Sequence, residues 1–200
     1  MSFLHICTGL VEGTLWGLVL LAWKTVLTRL KSSKSNEEGT RWQLYYTSLH
    51  LLATFVVVGV YAIQVVWSGF YTSPSHSIHS PGQWYVGSLV VNAWVVAIGG
   101  PTIAFLSKSW QWQREWWGHW MPLVLAKALQ WRQRTPITFW HLSLVTFLVL
   151  SYAICSYLAY RLWTVNLYGL FGTYPPRFLA SLLVIVLGCG VGLAWCTSPF

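Results

Sequence analysis

Three kinds of side chain in this sequence could do chemistry: one carboxylate in an apolar run, a few histidines at matched positions, and a band of tryptophans. Glu12 stands nine residues into the first long apolar stretch, about 13 Å along a helix. A carboxylate there is costly to ionise without a partner, so it must face protein, and Arg161 is the expected partner. Arg177 is a second candidate. This Glu12–Arg161 pair is the candidate intramembrane polar site, serving as a structural ion pair or a proton-coupled group.

His50 and His141 lie at similar depths on two further apolar segments, about 10 Å and 6 Å in. Two imidazoles at one level are the requirement for bis-histidine ligation of a b-type haem. Hydrogen bonding to a helix carbonyl or to interfacial water is the simpler role for each. His119, within Trp116-Trp117-Gly118-His119-Trp120, approaches the same level from a connection. His76 and His79 lack companions for a metal site, and Asn92 and Gln64 read as hydrogen-bonding links between helices.

Tryptophan is the most unusual feature, with six of the fifteen falling between residues 107 and 136. At helical period, Trp110, Trp117, Trp120, Met121, Val124, Leu125 and Trp131 share one broad face. Gln111, Glu115, His119, Lys127, Gln130 and Arg134 occupy the other. Such a segment, about residues 108–134, suits the headgroup plane, with Trp110, Trp117, Trp120 and Trp131 as interface anchors and the cations against anionic lipid. Pro122 is expected to start a second helical piece or to kink the first.

The elements that hold these residues follow from composition. Of 200 residues, 56% are hydrophobic and 8% charged, too few charges to solvate the surface of a soluble domain. The chain contains no Asp, which excludes Asp-rich prenyl-transfer motifs, intramembrane aspartyl proteolysis and Asp-based proton relays. Five stretches reach the roughly 20 apolar residues that a spanning helix needs: about 3–27, 44–70, 84–106, 137–163 and 178–195. The expected architecture is one all-α, polytopic transmembrane domain over 1–200, with the amphipathic in-plane segment between the third and fourth spans. A net charge of +8 could suggest nucleic acid, but ten of the twelve cations fall in the connections after the first and third spans. With alternating spans both connections lie on one side, and the positive-inside rule sets the N-terminus outside and the C-terminus inside.

Gly9, Gly13 and Gly17 on the first span, and Gly188 and Gly192 on the fifth, form small-residue grooves for close helix approach, within the bundle or against another subunit. Gly99-Gly100-Pro101 should kink or interrupt the end of the third. Cys7, Cys155, Cys189 and Cys196 show no zinc or disulfide spacing and are expected to be buried thiols. Hydrolase, zinc-protease and phosphate-loop motifs are absent. The function these features suggest is a non-catalytic multi-pass subunit of a larger membrane complex, its partners being lipids and other subunits. Two alternatives stand beside it: a haem- or quinone-associated electron carrier using His50 and His141, and an enzyme or carrier for a lipid- or sterol-like molecule, with Glu12 or His119 in an aromatic cavity.

Overall fold

A computed structural model of the chain describes residues 82–199 apart from 167, together with 46, 48–50, 52, 54, 56 and 59. The first expected span, with Glu12, Gly9, Gly13 and Gly17, and most of the second lie outside the described residues. Among the described residues the structure is helical, without a strand; a lone bridge joins Phe171 to Tyr174. Helix α1 covers Gly82–Leu106, and a short α2 covers Trp112–Glu115. A π-helical turn, Trp116–Trp120, leads into α3, Met121–Gln133. Helices α4, Phe139–Trp163, and α5, Pro176–Cys196, complete the order. Three stretches are long and apolar enough to cross a membrane, Tyr85–Leu106, Phe139–Leu162 and Pro176–Cys196, and they match the third to fifth expected spans within two residues.

Helix α1 is the axis of the assembly. It is apolar all round, and Val86, Leu89, Val90, Val91, Ala93, Val95, Val96 and Ala97 are all buried, as expected of a helix enclosed by others. Helix α4 buries only a seam, His141, Val145, Val149 and Ser156, whose spacing keeps one side toward the interior. Its other faces present Phe139, Trp140, Phe147, Ile154 and Leu162 outward. Helix α5 buries Val186, Leu187, Gly190 and Ala194. Gly190 makes its close approach to α1: a Cβ there would stand 2.7 Å from Val95 Cγ2 and 2.9 Å from Val95 Cα. Among the described residues, Gly188 and Gly192 have no neighbour at their Cβ positions. The packing glycine is therefore the one between the two that four-residue spacing selects. Gly99-Gly100-Pro101 likewise does not end α1, which continues to Leu106. Gly99 instead faces Val186 and Gly100 faces His119.

Side-chain contacts fix the helix directions. The His141 ring, at the start of α4, rests on Gly87, near the start of α1. Tyr174, just before α5, donates its hydroxyl to the Leu106 carbonyl at the end of α1, at 3.1 Å. At the opposite end, the Lys127 ammonium donates to the Thr197 carbonyl at 2.7 Å, and Gln130 Nε2 to Ser198 Oγ at 3.3 Å. Helices α1 and α4 thus run parallel, with α5 antiparallel to both. Adjacent spans joined by an in-plane segment would be antiparallel.

The 108–134 segment therefore does not stay at one end of the bundle. It returns along α1, from His119 beside Gly100 to Lys127 and Gln130 beside the C-terminal end of α5. The 164–175 connection consequently lies at the same end as Ser107–Gln111. Pro122 has no N–H, and its ring would crowd the carbonyl four residues back, so the helix widens into the π turn just before it. Leu125 is buried rather than on the tryptophan face, and Glu115, His119 and Gln130 point inward. Trp110, Trp112, Trp116, Trp117, Trp120 and Trp131 stay exposed.

Candidate binding cavity

A cavity of about 860 Å³ opens between the second half of α1, the π turn, the second half of α4 and the first half of α5. Its walls are mostly apolar, among them Val95, Ile103, Val149, Leu150, Leu183 and Val186. Both the size and the apolar lining suit a small-molecule site. The polar groups on its wall fall into two sets, one at the return segment and one where residue 46 meets α4.

The first set is carried by α2 and the π turn. The Glu115 side chain is 1% exposed, and its Oε2 lies 2.8 Å from His119 Nδ1, one helical turn further on. Arg114 Nε lies 3.4 Å from the other Glu115 oxygen. The Arg114 guanidinium also donates to the Ser109 carbonyl and, at 3.2 Å, to Ser109 Oγ. Glu115 is the one acid among the described residues. It is held where a carboxylate would otherwise be prohibitive by a cation on one side and an imidazole on the other. The missing side chain at Gly100 leaves room for the His119 ring.

The second set links three helical stretches and a loop. Tyr46 N–H is shared by the hydroxyls of Tyr152, at 3.1 Å, and Tyr168, at 3.0 Å, and these two hydroxyls are 3.1 Å apart. Tyr46 donates its own hydroxyl to Asn92 Oδ1. Asn92 Nδ2 in turn donates to His50 Nδ1 at 2.7 Å. An imidazole that accepts at Nδ1 keeps its proton on Nε2 when neutral, so Asn92 selects the His50 tautomer. His50 Nε2 is buried without a hydrogen-bond partner among the described residues, and His119 is within electrostatic range of it.

The sequence-selected residues divide accordingly. His50 lies on this second network, and Asn92 is a link between helices, as its position suggests. His141 is committed locally: the Thr138 backbone N–H donates to its Nδ1 at 3.0 Å, closing a capping box at the start of α4. Its ring is pressed on Gly87. Arg161 is exposed in the last turn of α4. Cys155, Cys189 and Cys196 are exposed free thiols on outward faces rather than buried ones. Among the described residues no group of three His, Cys, Asp or Glu is placed to hold a metal. Glu115 and the tyrosines 46, 152 and 168 were not selected by sequence. The signal available for Glu115 was its four-residue spacing to His119 opposite a tryptophan face. The three tyrosines, far apart in the chain, gave none. No known protein family, curated protein or solved structure matches the chain.

Proposed function

We propose that the chain is a multi-pass membrane protein that binds a hydrophobic small molecule of lipid type. The observation that carries this reading is the cavity of about 860 Å³, apolar over most of its wall and polar at Arg114, Glu115 and His119. A cavity inside a packed bundle forfeits dispersion contacts, and an occupant of matching polarity recovers them. In the same reading the return segment, 22 residues from Trp112 to Gln133, crosses the bilayer beside α1. Its length at helical rise is about 30 Å, matching the hydrocarbon thickness. The orientation of its side chains supports the crossing: tryptophans outward to lipid, acid and amide inward to protein.

The test is lipid analysis of the purified protein in mild detergent. A defined amphiphile is expected to co-purify with the wild type and to be depleted in Ala153→Trp, which fills the cavity from α4. A wild-type preparation with only bulk lipid overturns the reading. Membership of a larger complex is a second reading, favoured by the face of α5 at Gly188 and Gly192, which no described residue covers. Defined partner proteins in native mass spectrometry would support it.

A further inference from the structure

We infer that the occupant of the cavity is an anionic amphiphile, whose acidic head is held by Arg114 while its hydrocarbon body lies between α1, α4 and α5; this rests on the binding reading above. The argument begins with charge. Helix directions gather Lys108, Arg114, Arg161 and Arg177 at one end of the bundle: just after α1, in α2, in the last turn of α4 and in the first turn of α5. The acid among the described residues, Glu115, lies on the cavity wall at this end and is buried. Among the described residues that end is cationic on its outer side, and Arg114 is the cation on the cavity wall.

The state of Arg114 points the same way. Its side chain is 38% exposed, and it leans on Glu115 at 3.4 Å and on Ser109, weaker partners than a forked carboxylate or phosphate pair would be. Glu115 Oε2 also lies 2.8 Å from His119 Nδ1, so the buried carboxylate keeps a neighbouring imidazole when Arg114 turns toward an incoming anion. Ser107 and Ser109 stand beside it as further donors, and their hydroxyls are 2.7 Å apart. Beyond this head-binding corner the wall is mostly apolar, with Val95, Ile103, Val149 and Val186, apart from the hydroxyl-bearing Tyr46, Tyr152 and Tyr168. A neutral lipid would leave the exposed part of the guanidinium with Glu115 and Ser109 as its partners. A small anion would leave the apolar volume empty.

The experiment compares binding of palmitate and of hexadecanol, equal chains with and without an acidic head, to the full chain in detergent. The expected result is that palmitate binds more tightly at neutral pH. Arg114→Gln weakens palmitate by about tenfold, the scale of one charge-assisted hydrogen bond, and leaves hexadecanol unchanged. Arg114→Lys gives an intermediate loss, and Arg177→Gln, outside the cavity wall, gives none. Retained hexadecanol binding also certifies that Arg114→Gln is folded. Equal binding of the two probes, with no effect of Arg114→Gln, overturns the inference and leaves the binding reading standing. So does displacement of palmitate by equimolar butyrate, since the site would then read the head alone. Failure of both probes to bind overturns the binding reading and this inference together.

Discussion

The imidazole of His119 occupies the place where a side chain on Gly100 would stand. One residue of the central helix is thereby reserved for a ring that arrives from the π turn. His119 in turn contacts Glu115, so the position of the buried carboxylate depends on a hydrogen atom at residue 100. Gly100→Ala is expected to displace the ring and destabilise the protein by about 1–3 kcal/mol, the range for forced overpacking. Gly118→Ala, where nothing stands within 4 Å of the new methyl group, should be close to neutral. Thermal unfolding of the two variants in one detergent checks the difference; equal midpoints would refute the placement of His119.

The directions of α1 and α4 give a sharper prediction. In a cysteine-free background, Ser109→Cys and Thr173→Cys should be labelled from one side of the membrane, and Pro136→Cys from the other. An in-plane 108–134 segment requires the opposite grouping, 109 with 136 and against 173. A membrane-impermeant maleimide on intact and opened vesicles separates the two.

Gly190 and Gly188 are a matched pair on one helix. Gly190→Ala drives its methyl group into Val95, where backbone as well as side chain must shift, and should cost about 1–3 kcal/mol. Gly188→Ala meets no neighbour and should be neutral in the isolated protein. A loss of stability at 188 comparable to that at 190 would show that α5 is packed on the other face.

The long apolar helices were legible because continuous hydrophobicity over more than 20 residues has one solution in a bilayer. α1, α4 and α5 accordingly begin and end within two residues of expectation. The return segment keeps the expected tryptophan face, with Val124 and Trp131 exposed, and departs from it at Leu125, which is buried. The polar face of that segment was expected toward the headgroup plane, and Glu115 and Gln130 are instead buried against protein. His141 illustrates a different limit. Its depth matched that of His50, but Thr138 three residues earlier offers it a local bond at a helix start. Capping competes with any long-range role, and depth alone does not weigh the two. The Tyr46–Asn92–His50 network joins residues far apart in sequence, so nothing short of the fold could assemble it.

The way the return segment divides its cations bears on how the chain enters a membrane. Lys108, Arg114, Arg161 and Arg177 stand at one end of the described bundle, and Lys127, Arg132 and Arg134 toward the other. Four against three is nearly a balance, so on the proposed membrane crossing an insertion machinery that sorts by positive charge finds little to choose between the two orientations of this half. On that reading the choice rests with Lys24, Arg29, Lys31, Lys34 and Arg41, which leave the ribosome before the cavity residues of α1.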